Sequence, residues 1–159
     1  MIFMTVECFL KFFNKSNSMT SDDMIYNSEH NVNIPRFAIE EVVNEPGNKE
    51  LNYYHYDERK GEYTMRRFYW AEGLYAHFLL HNKPEQLKKM LNIGDLYRTI
   101  MNNVAKAEKA VDEQVSKWEK SDKEIQVALK SGDKDKYKGL MNNLRARAEE
   151  VIYRQILYV

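Results

Sequence analysis

His77 and His81 stand four residues apart, a spacing that puts two imidazoles on one face of a helix where they could share a metal ion. Glu72, five residues before His77, falls roughly 140° around the same helix and does not complete a ligand set. No HExxH pattern occurs, so packing and capping are the reading taken, with no metal and no cofactor expected. The stretch Tyr53–Asp57 (YYHYD), followed by Glu58 and Arg59, gathers base, acid and phenol groups. Acid–base catalysis needs such groups to converge on a pocket with shifted pKa values, which neighbours along one segment do not supply. A hydrolase centred on His55, Asp57 or the His77–His81 pair therefore stands third among the hypotheses, and the chain is read as a non-enzyme. There is no phosphate-cradling glycine loop, nucleophile elbow or CxxC pair.

Two further constellations suggest binding. Nine of the twenty aromatics lie between Tyr53 and Phe78, interleaved with Arg59, Lys60, Arg66 and Arg67. Aromatics alternating with cations can stack bases and hold phosphates, but a small protein also needs such residues for its core. Arg66, Arg67 and Trp70 are the candidate partner contacts in this part. The second constellation is Met141-Asn142-Asn143-Leu144-Arg145-Ala146-Arg147. Adjacent asparagines inside a helix are unfavourable by propensity, so something local should compensate. An interhelical polar contact is the default; partner contact through Asn142, Asn143, Arg145 and Arg147 is the functional alternative.

The elements that must position these groups are read from periodicity. Residues 1–13 are apolar, but no basic residue precedes the run and Glu7 interrupts it, so a short strand or helical arm is expected in place of a signal peptide. Met19 offers an alternative start that would leave residues 1–18 outside the native product. Residues 14–31 are rich in Asn, Ser and Asp and read as a flexible linker. In residues 32–64, Phe37–Val43, Leu51–Tyr56 and Glu62–Met65 are separated by turns at Glu45-Pro46-Gly47-Asn48 and Asp57–Gly61, which fits a small hairpin or three-stranded meander. From Thr64, taken as a cap, the period turns helical through Phe68, Ala71, Tyr75, Phe78 and Leu79. Pro84 suits the first turn of a short helix that ends at Gly94, with Asp95 capping the next.

The strongest periodic signal follows. Leu96, Ile100, Val104, Ala107, Val111, Val115, Trp118, Asp122, Ile125 and Leu129 recur at steps of three and four, and only Asp122 breaks the apolar stripe. Uninterrupted, this helix would run about 54 Å. It either continues or breaks at Ser121-Asp122-Lys123-Glu124, which has a capping-box pattern. Ser131-Gly132-Asp133 then leads into a last helix with apolar positions from Tyr137 to Ile152, and so tight a connection implies an antiparallel pair. The expected fold class is mainly α: a long antiparallel helical hairpin with a small N-terminal β-hairpin or irregular region. The expected organisation is one domain over 1–159, comprising an arm and linker (1–31), a small β or irregular region (32–64) and a helical region (65–159).

Composition narrows the function classes. Lys plus Arg and Asp plus Glu both number 24, which argues against a globally basic nucleic-acid binder and a globally acidic mimic. The balance is uneven along the chain, with 6 basic and 10 acidic residues in 1–60 and 18 basic and 14 acidic in 61–159. One cysteine, Cys8, excludes an internal disulfide and a cysteine zinc cluster. No apolar run is long enough for a membrane span, so a cytoplasmic protein without membrane contact is expected.

The tail from Met141 to Tyr158 (MNNLRARAEEVIYRQILY) resembles the C-terminal signature of the transposon-encoded TnpV-like proteins: a Met-Asn-Asn-aliphatic-Arg start, a Glu-aliphatic-aliphatic stretch and an aliphatic-Tyr end. Ala71–Leu80 (AEGLYAHFLL) is similar to that family's helix ahead of the long one. The resemblance implies carriage by a transposon, phage or conjugative element and supplies no reaction. The function expected is that of a mobile-element accessory protein that binds a host or element-encoded protein, in one version as an inhibitor of a bacterial defence system. Nucleic-acid binding by the basic C-terminal part is the alternative, and the long apolar stripe leaves homo-oligomerisation open.

Overall fold

The computed structural model describes residues 1–43 and 46–159. The chain divides into two compact units, Met1–Met101 and Asn102–Val159, and the boundary falls inside a helix and not at the change of period near residue 64. The glutamate of the expected Glu45–Asn48 turn lies outside the described residues.

The first unit is built on an antiparallel five-stranded sheet. Its strands are β1 (Ile2–Thr5), β2 (Ser18–Thr20), β5 (Phe37–Glu41), β6 (Leu51–Asp57) and β7 (Glu62–Phe68), in the order β1-β7-β6-β5-β2. Strands β3 (Met24–Asn27) and β4 (Val32–Pro35) form a separate two-stranded ribbon. The expected meander is real: Leu51 pairs with Phe68 on one side and Glu41 on the other, and Asp57 with Glu62. It is the middle of a larger sheet.

Strand alternation gives the sheet two apolar faces. One carries Ala38, Tyr54, Tyr56, Tyr63 and Met65, which pack with Ile34 of β4 and with Val6 and Phe9 of helix α1 (Val6–Phe12). The Phe9 ring stacks on Tyr63 with centroids 4.2 Å apart. The other face carries Ile39, Leu51, Tyr53 and Phe68, all buried. Helices α2 (Trp70–Asn82) and α3 (Pro84–Asn92) lie over it, and Tyr97, at the start of α4 (Leu96–Ser121), stacks on Tyr53 and Phe68. Gly94 takes φ +71, and a Cβ there would meet the Phe37 ring at 2.6 Å, so the α3–α4 turn needs glycine for both its backbone and its space.

The second unit holds the rest of α4 with α5 (Lys123–Ser131) and α6 (Lys134–Ile156). The long periodic run breaks after Ser121. The residue that caps α5 is Asp122, whose carboxylate accepts from the Ile125 amide at 3.0 Å, while the Ser121 hydroxyl donates to the Trp118 carbonyl. The one polar residue in the apolar stripe is thus the stop signal. Asp133 caps α6 in the same way.

The mainly helical expectation is corrected. Helix accounts for 57% of the chain, but seven strands are present among the described residues and the first unit is organised by its sheet. Thr64 caps no helix; it lies in β7, which runs four residues further before α2 begins at Trp70. The apolar segment 1–13 is both expected alternatives in succession, strand then helix, and it is bound to the sheet through Ile2–Thr5 against Glu62–Met65. The segment expected to be a linker holds β2 and β3. Its polar residues satisfy backbone amides: Asn14 and Asn27 locally, accepting from the Ser16 and His30 amides, and Ser21 across sixteen residues, accepting from the Phe37 amide.

Candidate functional site

Helix α2 crosses the end of the sheet, and two chemically distinct features sit along it. The crossing depends on Gly73. A Cβ at that position would lie 2.3 Å from the Lys49 carbonyl oxygen, so only glycine lets the helix pass over the entry to β6.

The first feature is at the start of α2. Arg66, Arg67 and Trp70, with Met1, Ile2, Tyr69, Glu72, Tyr97 and Met101, border an open depression of about 510 Å³; the Arg66 side chain lies on the Tyr53 face of β7 and that of Arg67 on the Asn52 face. Trp70 is 88% exposed and adopts φ +47. A bulky side chain in the left-handed region costs on the order of 1–3 kcal/mol. The positive φ lies where the chain leaves β7 at Phe68 and enters α2 at Trp70. Tyr69, Met1 and Ile2 are also exposed. The Arg66 guanidinium lies 4.4 Å from the Tyr97 ring centroid, and no carboxylate pairs with it among the described residues. Arg67 is held by the Asn52 side-chain oxygen at 2.8 Å and more loosely by Glu50 at 3.8 Å. Behind it, Asn52 and Tyr54 both donate to buried Glu40, which also accepts from the Asn14 amide. That network connects the rim of the depression to the core.

The second feature is near the end of α2. Both His77 Nε2 and His81 Nε2 point at the same oxygen, Oε1 of Glu41 on β5, with the His77 contact at 3.1 Å. One ligand atom from each of the three residues lies within 4.8 Å of the others. The two rings sit side by side, centroids 4.3 Å apart, as expected for positions i and i+4. Lys49 Nζ approaches His77 Nε2 at 3.2 Å. Burial first, and then the Lys49 ammonium and His81, hold the His77 imidazole below its usual range, with Glu41 opposing. Sequence reasoning placed the histidine pair but missed Glu41, which is 36 positions before His77 and joins it only through the sheet register.

Among the remaining candidates, His55, Asp57, Arg145 and Arg147 have partners of their own. His55 stacks on Phe37, and burial lowers its pKa. The Asp57 carboxylate accepts from the Arg59 amide at 3.0 Å and serves the hairpin turn. In the second unit, Arg145 is held by Glu108, Asp112 and Glu149, all within 3.0 Å. Arg147 lies over the Trp118 ring, 5.5 Å from its centroid. Asn142 and Asn143 are exposed, and among the described residues no hydrogen bond from their side chains is found. The interhelical contact expected to compensate them is supplied instead by Arg145 and by Tyr153, whose hydroxyl donates to Glu108.

Comparison with family models, curated proteins and solved structures finds no match. Among the described residues no helix is long and apolar enough to cross a membrane.

Proposed function

We propose that this chain is a non-catalytic binding protein that docks a partner protein on the Trp70 platform. The observation that carries the reading is Trp70 itself, a fully presented indole held at a strained backbone angle beside an arginine with no carboxylate partner among the described residues. An exposed indole carries apolar area whose burial by a partner is favourable, and the positive φ fixes the direction in which it is presented. Tryptophan and arginine are also the residues most enriched where binding energy concentrates. The charge of Arg66 selects a partner segment that presents an acidic side chain next to apolar ones.

The likeness of the tail to TnpV-like proteins supports a mobile-element setting. In that setting, covering the working surface of a host defence enzyme is the form of the proposal carried forward, by analogy of strategy. The nucleic-acid alternative has less support, because the Arg145 charge is already matched by three carboxylates within its own unit. The test is affinity capture of host proteins by the full chain and three variants. A specific protein retained by the wild type and by Arg145→Ala, but lost with Trp70→Ala and Arg66→Glu, is the expected result. Retention unaffected by Trp70→Ala and Arg66→Glu, or no specific retention at all, would overturn the reading.

A further inference from the structure

Beyond the partner-binding reading, and independent of it, the geometry points to a metal site: Glu41, His77 and His81 form a three-ligand centre for a divalent transition cation of the zinc class. The argument starts from hydrogen bonding. Two imidazole Nε2 atoms converge on one carboxylate oxygen, and one of them also faces an ammonium. If His77 Nε2 carries a proton, it donates to Glu41 but meets the donors of Lys49. If it carries none, it accepts from Lys49 but sets a lone pair against the Glu41 oxygen. No tautomer of His77 satisfies both neighbours. A cation among the three groups removes the conflict, because all three then offer lone pairs to the same point.

Other observations agree. The cluster has the composition of known His₂-carboxylate centres, two nitrogens and one oxygen, which suits zinc and its neighbours and disfavours the all-oxygen preferences of magnesium and calcium. The ligands come from regular elements: a strand supplies Glu41, and one face of α2, seated by Gly73, supplies both histidines. Side-chain exposures of 19% for Glu41, 25% for His77 and 49% for His81 leave an entry path and at least one coordination position open. Lys49 is exposed and can swing aside; in the metal-free protein its ammonium is the cation that the cluster attracts. It is therefore a competitor for the site, which distinguishes this proposal from a simple salt-bridge cluster. In a salt-bridge cluster, removing the lysine weakens the arrangement; in a metal site it tightens binding.

The experiment is calorimetric titration of the full chain with Zn²⁺, repeated with Mg²⁺, alongside Glu41→Gln, His77→Ala, His81→Ala and Lys49→Met. Circular dichroism first establishes that each variant is folded, and Co²⁺ absorption in the visible reports the ligand field independently. One zinc per chain is expected, with no comparable magnesium binding. Each ligand variant should weaken zinc by at least the ~10–100-fold typical of lost metal-site contacts, and Lys49→Met should strengthen it. Zinc at 100 times its Kd should raise the wild-type Tm by about 5 °C or more. The proposal fails if the wild type takes up no zinc, if the folded His77→Ala and His81→Ala proteins bind it as the wild type does, or if Lys49→Met weakens it.

Discussion

The two units reach stability by different routes. In the first, residues far apart in sequence share one sheet: Ile2–Thr5 pair with Glu62–Met65, and buried Glu40 collects donors from Asn14, Asn52 and Tyr54. In the second, helices pack through an apolar stripe, and polar ties such as Tyr137 to Glu119 and Arg145 to its three carboxylates sit partly in solvent. The contrast explains where the candidate chemistry lies. Bringing Glu41 against His77 and His81, or turning Trp70 outward beside Arg66, requires a sheet that fixes distant segments relative to each other. A helical stack built from local periodicity places few such convergences.

The largest expected difference between the units is in the cost of core truncation. Phe68→Ala, at a fully buried ring stacked on Tyr97, should destabilise the first unit by about 3–5 kcal/mol. Leu144→Ala in the second should cost about 2–3 kcal/mol, toward the lower end for such truncations. Denaturant titration with unit-resolved hydrogen exchange checks both, and an equal or reversed order would break the comparison.

Alkaline pH should separate the units next. Burial raises Tyr53, Tyr54 and Tyr63 above the ordinary value near 10, and in Tyr54 the Glu40 carboxylate adds to it. Of the second unit's tyrosines, Tyr153 is raised most, by burial and then by Glu108. A group whose folded pKa is raised contributes stability fully below its unfolded value, and that contribution is lost as pH rises through the folded value. The first unit should therefore weaken more steeply above about pH 10. Ring signals assigned to Tyr53, Tyr54 and Tyr63 by NMR should titrate only together with the loss of sheet dichroism, and their ionisation with the sheet intact would contradict this.

A smaller effect has the opposite sign. Trp70→Gly should stabilise the free protein by roughly 1 kcal/mol, because glycine takes positive φ without strain and the indole contributes little packing at 88% exposure. The same change should abolish partner capture. A fall in Tm would show that the indole serves the fold. Asp122→Ala should cost about 1 kcal/mol, confined to the second unit, by removing the cap on α5. Exchange protection of Lys123–Ser131 reads it directly.

How much was legible in the sequence follows the same division. The helices of the second unit and the Gly132 turn were visible because a 3.6-residue period and caps are local signals; the break after Ser121 was one of two open alternatives, because the apolar stripe runs on past its capping pattern. The β6–β7 hairpin was visible because its turn residues are local too. The five-stranded sheet was not. Strands β1 and β2 are four and three residues long, and their apolar residues are credited to the sheet only when their partners, about sixty positions away for β1 and about twenty for β2, are known. Asn14 and Asn27 looked like disorder because capping residues and linker residues have the same composition, and Ser21 because its partner, the Phe37 amide, is sixteen positions away. At the site, the histidine pair could be read from spacing, and Arg66, Arg67 and Trp70 from the run of aromatics and cations they lie in. Glu41 and the strain at Trp70 could not, since one depends on register and the other on a backbone angle.

The central claim is that Trp70 is held out to solvent in a positively charged setting, and fluorescence tests it most directly. The chain has two tryptophans, so Trp118→Phe leaves Trp70 as the sole indole. Its emission should be that of a water-exposed indole, and iodide should quench it more efficiently than caesium because Arg66, with no carboxylate partner among the described residues, attracts the anion. A blue-shifted emission that neither ion quenches, or stronger quenching by caesium, would contradict the account.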